Sequence, residues 1–176
     1  MDTISGAELQ PFGPARLSIV EMIGDVIKLN VVNLNAKIIQ TNVMKKLLQF
    51  FGKYEWNSLL HFKLDLIFSE VLRNHETGPE LLKALFEESH FLNYITQLIR
   101  SEDYQLKNET GRRIERGFMP YIIRFIDTLE GMREKSTYID QQIKKFGEEE
   151  WTEVWKDKIQ PKKNKYAKQL GGHNPN

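Results

Sequence analysis

With 176 residues and 40% hydrophobic content the chain can bury a core, and a net charge of +1 excludes a whole-protein field that would draw nucleic acid or anionic lipid. Cysteine is absent, which excludes disulfides, thiolate metal sites and a cysteine nucleophile. No run approaches the roughly 18 apolar residues of a spanning helix and no leader-like segment opens the chain, so cytoplasm or nucleus is the expected address.

Residues 1–13 are polar and broken by Pro11 and Gly13, and are expected to form a flexible lead-in. A helical domain is then expected over 14–158. Pro14 suits a first helical turn, and Leu17, Val20, Ile23 and Ile27 recur at spacings of three and four, which draws one apolar stripe through Leu29. A short helix over Asn33–Gln40 follows, and Thr41 or Asn42 can cap a run carrying Val43, Leu47, Leu48, Phe50 and Phe51, with Gly52 as its stop.

Next comes an aromatic corner from Tyr54 to His61. Asn57 is a good N-cap for the following helix, and Trp56 with His61 has staple-like spacing. That helix carries Leu60, Leu64, Ile67, Phe68, Val71 and Leu72. Leu59, Phe62 and Leu66 widen its stripe, which predicts burial on more than one side.

Gly78-Pro79 marks a turn, a short helix spans Glu80–Glu88, and Ser89 is a candidate cap for the run through Phe91, Ile95, Leu98 and Ile99. Arg100–Gly111 is polar. A long helix is expected over Arg112–Met132, kinked near Pro120 or begun there, followed by helices over Thr137–Phe146 and Glu148–Lys158. Residues 159–176 read as a basic, flexible tail.

No β-alternating run appears, so the expected class is all-α. Val43, Leu47, Phe50 and Phe51 recur 48 residues later as Phe91, Ile95, Leu98 and Ile99, and Leu64, Ile67, Phe68 and Val71 recur 58 residues later as Ile122, Phe125, Ile126 and Leu129. A short, a medium and a long helix repeated in this way favour an armadillo- or HEAT-like α-solenoid of about two to three repeats over a closed bundle.

Chemistry-bearing patterns are weak throughout. His61, His75, His90 and His173 are scattered without metal-binding spacing, Ser58 and His61 lack a third triad member, and no phosphate loop occurs. The acidic runs Glu87-Glu88 and Glu148–Glu150 are read as lying at helix starts, where negative charge favours the dipole. No catalytic residue, cofactor or metal is expected. Candidate partner contacts are Tyr54, Trp56, Asn57 and His61, for which a structural corner is the rival and favoured reading, and Arg112, Arg113 and Arg116, whose charge could hold an acidic partner. The lysines from Lys156 to Lys168 have little aromatic interleaving, so nucleic acid is not an expected partner.

The corner residues Phe50-Phe51, Tyr54, Trp56-Asn57 and Leu60-His61 resemble the SAPS-domain family, regulatory subunits of protein phosphatase 6-type enzymes. Gly13 with Arg16-Leu17 and Val20, Leu85-Phe86-Glu87-Glu88 with Leu92, Arg116-Gly117-Phe118-Met119, and Trp151 support the resemblance, which covers roughly residues 9 to 160 and is similar to the later part of that domain. Pro120-Tyr121-Ile122 stand where the family usually has Gly-His-Leu. The resemblance implies a non-catalytic scaffold associating with a serine/threonine phosphatase catalytic subunit and helping to direct it. The alternative is a helical-repeat subunit of a large assembly without phosphatase.

Overall fold

The computed structural model describes residues 11–74, 76, 78–101, 106–107 and 113–167, with the backbone alone for 106–107 and 113–114. Among these the chain is helical: α1 Pro14–Leu29, α2 Val32–Gln40, α3 Val43–Lys53, α4 Ser58–Arg73, α5 Pro79–Lys83, α6 Phe91–Ser101, α7 Met119–Arg133, α8 Thr137–Glu153 and α9 Gln160–Ala167. Wider π-helical turns continue α5 over Ala84–Glu88 and join α8 to α9 over Val154–Ile159. A two-residue antiparallel pair, β1 Leu106–Lys107 with β2 Arg113–Ile114, is the exception to the all-helical expectation. It also moves the start of the long helix: α7 begins at Met119, with Pro120 in its first turn, where a missing N–H costs nothing.

Helix α4 lies between α1 and α7, and α2, α3, α5 and α6 back them. Each helix of the first apolar set packs on its counterpart in the second: α2 on α5, α3 on α6 and α4 on α7. The shared stripe positions Leu47, Phe51, Ile95 and Ile99, and Leu64, Ile67, Phe68, Val71, Ile122, Phe125, Ile126 and Leu129, are all buried. Phe68, Phe91 and Phe125 join α4, α6 and α7, with ring centroids 4.9–6.4 Å apart.

Local details depart from expectation for identifiable reasons. Gly52 does not stop α3; it sits in the last turn, where Tyr94 and Leu98 of α6 press so close that a Cβ would lie 2.6 Å from the Tyr94 hydroxyl oxygen. Ser89 does not cap α6. Its hydroxyl donates back to the Ala84 carbonyl (3.0 Å) and closes the wide turn. The break between the two expected helices after Thr137 falls at Gly147, whose φ of 131° no other residue adopts easily.

Of the expected lead-in only residues 11–13 and of the expected tail only residues 159–167 are described, and the rest of both segments lies outside the described residues. Phe12 is 3% exposed and packs edge-on against Phe50 and Tyr54. Beyond Ile159 the lysine-rich segment is helical through Ala167: Lys162 pairs with Glu115 (2.9 Å), Lys163 with Asp127, and the Tyr166 hydroxyl donates to Glu115. Burial raises the Glu115 carboxyl, but the hydrogen bonds from Tyr166 and Lys162 outweigh it and hold the group below its usual range.

The widest departure is on α4. Leu59, Phe62 and Leu66 are 64%, 40% and 45% exposed, so the helix buries one broad face and leaves an apolar stripe in solvent. Substitution should separate the two faces. Phe68→Ala is expected to cost about 3–5 kcal/mol, the range for truncating a buried aromatic. Leu59→Ala should change stability by no more than about 0.5 kcal/mol, as for an exposed position, with urea unfolding as the measurement.

Candidate functional site

The corner from Tyr54 to His61 answers backbone groups that two helix ends leave open. At the start of α4 the Asn57 side-chain oxygen accepts from the Leu60 amide (2.9 Å), so the expected cap forms. At the end of α3 the Phe51 carbonyl lacks an intrahelical donor, and His61 Nε2 lies 2.9 Å from it. A carbonyl only accepts, so His61 carries its proton on Nε2 and donates. One side chain from the first turns of α4 thus caps the helix before it.

His61 is fully buried, its ring 4.8 Å from Phe51, 5.6 Å from Tyr121 and 6.2 Å from Phe118. Nδ1 has no hydrogen-bond partner among the described residues. Burial lowers the imidazole's proton affinity, and the hydrogen bond to Phe51 offsets only part of that. Its role is therefore that of a neutral donor. Trp56 is half-buried over Gly117, so it and His61 have different partners from the staple that their spacing suggested.

The Arg116-Gly117-Phe118-Met119 segment docks on this corner from 60 residues away. Arg116 Nη1 donates to Glu55 (3.0 Å), with both side chains less than one quarter exposed. A Cβ on Gly117 would lie 2.7 Å from the Glu55 carbonyl oxygen and 3.1 Å from the Trp56 ring, so only glycine permits this approach. Phe118 is fully buried against Phe51 and His61. On the other flank the Arg16 guanidinium donates to the Tyr54 hydroxyl (3.1 Å), within the Phe12, Phe50 and Tyr54 cluster.

The candidate contacts therefore separate. Tyr54 and His61 are buried, Asn57 is occupied as a cap, and Arg116 is engaged with Glu55. Arg112 lies outside the described residues, as do His75 and His173, and Arg113 is placed by its backbone in β2. The acidic runs are engaged structurally: Glu148 takes two hydrogen bonds from Arg133, Glu150 pairs with Arg100 (2.8 Å), and Glu87 accepts from Tyr138 (2.8 Å). Burial and the neighbouring Glu87 push the Tyr138 hydroxyl well above its usual range. Trp151, 1% exposed, donates to Glu130 across from α8 to α7. Among the described residues no group of three His, Asp or Glu side chains converges as a metal site would need, and no helix is long and apolar enough to cross a membrane.

Two outcomes follow from the corner. Gly117→Ala should destabilise the fold by about 1–3 kcal/mol, the usual cost of overpacking, as read by urea unfolding. For His61, the unfolded imidazole takes up a proton near pH 6.5 while the buried one resists it, so stability is complete above that pH and falls as pH drops below it. His61→Gln should be less stable at neutral pH and lose less between neutral and mildly acidic pH than the native chain, measured in paired urea titrations.

The family model described as SIT4 phosphatase-associated protein, SAPS, matches residues 33–168. The chain is 26% identical over 149 residues to "Serine/threonine-protein phosphatase 6 regulatory subunit 3-B" of Xenopus laevis, covering 77% of this chain and 17% of that protein. It is 28% identical over 166 residues to "Serine/threonine-protein phosphatase 6 regulatory subunit 3" of Gallus gallus, covering 85% and 19% respectively. To "Serine/threonine-protein phosphatase 6 regulatory subunit 2" of Homo sapiens it is 32% identical over 87 residues, covering 49% and 9%. The chain thus spans less than a fifth of the length of these relatives, and no solved structure matches it. The match takes in the corner, the Arg116–Met119 segment that docks on it, and all of α4 and α7: the chain belongs to the SAPS family.

Proposed function

We propose that the chain is a non-catalytic regulatory and scaffold element that associates with a serine/threonine phosphatase catalytic subunit of the phosphatase 6 type and helps to direct it. The observation that carries this reading is the family match over residues 33–168 together with relatives that are phosphatase 6 regulatory subunits. The role asks no chemistry of this chain, and the polar groups at the corner are spent on helix ends and on Glu55–Arg116 rather than aimed at a substrate.

In this reading the fold is an armadillo- or HEAT-like solenoid. Support comes from the pairing of α2 with α5, α3 with α6 and α4 with α7, since stacked repeats bury each helix against its equivalent in the next unit. Tyr54, Asn57 and His61 form the joint inside one repeat, and Arg116 ties the next to it. A cytoplasmic or nuclear address accompanies the reading.

The test is reconstitution. Purified chain mixed with a purified phosphatase 6 catalytic subunit should co-migrate on size exclusion, and the unrelated catalytic subunit of a different phosphatase class should not. Failure to co-migrate, with the chain shown to be folded by its thermal melt, would reject the reading. Stoichiometric recovery of the native chain in an assembly that lacks any phosphatase would instead support the structural-subunit alternative.

A further inference from the structure

The apolar core stops before the last described helix begins. Trp151, Val154 and Ile159 are buried and anchor the wide turn that ends at Ile159, whereas no residue of α9 is buried. The contacts that tie α9 to α7 and to the segment before α7 are polar. Lys162 pairs with Glu115 (2.9 Å), the Tyr166 hydroxyl donates to the same carboxylate, and Lys163 pairs with Asp127.

Two features make this docking separable from the fold. Residues 160–167 contain three lysines and no carboxylate, so the repulsion among them is offset from outside, by Glu115 and Asp127. Pro161 stands where α9 leaves the wide turn, and it brings no N–H, so the junction lacks one backbone hydrogen bond. A helix of eight residues is marginal in water by itself, and α9 therefore keeps its form through its docking.

The carboxylate that receives α9 is placed to pass the contact on. Glu115 is followed by Arg116, which donates to Glu55 at the corner (3.0 Å), and then by Gly117 and Phe118, which pack against Trp56 and His61. Consecutive side chains thus tie one short segment to α9 and to the α3–α4 corner.

We propose that α9 is an electrostatic strap hinged at Pro161, which closes on Glu115 and Asp127 and, when closed, clamps the 115–118 segment onto the corner. The inference is separate from the phosphatase reading, because it concerns contacts inside this chain.

Hydrogen exchange on the whole chain, read by mass spectrometry in peptides covering 115–118, 160–167, α4 and α7, tests it. Raising NaCl from about 0.1 M to about 1 M shortens the screening length from about 10 Å to about 3 Å. Exchange in 160–167 should rise at least about fivefold over that range, with α4 and α7 unchanged, as for a locally opening unit. At low salt Glu115→Gln should open 160–167 in the same way. Lys162→Met/Tyr166→Phe should do so too, and should also speed exchange in 115–118 at least about twofold while α4 stays as protected as in the native chain. Lys63→Met, which removes an ion pair of similar length between α1 and α4 (2.8 Å), should leave both segments unchanged. Exchange in 160–167 that ignores salt, that occurs only together with α7, or that already matches an unstructured peptide at low salt would overturn the strap. Opening of 160–167 with no change in 115–118 would overturn the clamp.

Discussion

The hydrogen bond from His61 to the Phe51 carbonyl holds the rest of the structure in place. A helix end leaves carbonyls unanswered, and burying one without a donor costs about 1–3 kcal/mol. At this corner Phe51 is 2% exposed, and the donor to its carbonyl comes from α4. A histidine serves because its ring is apolar enough to pack against Phe51, Phe118 and Tyr121 while one nitrogen still donates. A lysine in the same place would bring a charge into a fully buried position. Asn57 does the matching work on the other helix end, so residues four apart in sequence close both ends of the joint.

With the angle between α3 and α4 fixed, α4 becomes the element on which the others register. It receives α1 on one flank and α7 on the other, and Phe68 joins it to α6 and α7. The Arg116–Met119 segment then has a defined surface to land on. Arg116 meets Glu55, Gly117 admits the Glu55 carbonyl and the Trp56 ring, and Phe118 covers His61. That landing explains why α7 begins at Met119 rather than several residues earlier: the preceding segment is committed to the corner in a non-helical conformation.

Much of this was legible in the sequence. The 3.6-residue period located the core faces of α1, α3, α4, α6 and α7, and the Asn57 cap and the pairing of the two apolar sets could be read from spacing. Periodicity shows which residues share a face, not whether a neighbour covers that face, and so Leu59, Phe62 and Leu66 read as buried when they are exposed. Composition also did not foresee two sets of contacts near the ends of the described residues. Phe12 sits in a polar, proline-broken stretch but one aromatic ring suffices to dock it, and the lysines after Ile159 looked like a solvated tail because Glu115 and Asp127, which receive Lys162 and Lys163, lie more than 30 residues away. The donor role of His61 carried no local signal at all, since its acceptor is a backbone carbonyl that every residue possesses.

The same constraint bears on the exposed stripe. A surface leucine in isolation is ordinary, but three large apolar side chains on one two-turn face are not required by any contact within the described residues. What distinguishes this face is how firmly it is presented. Asn57 and His61 fix the start of α4, Asn74 and Glu70 close its end, and Glu21 and Arg124 hold its flanks from α1 and α7. The interactions that make the corner a poor candidate for chemistry are therefore those that hold α4 firmly among its neighbours.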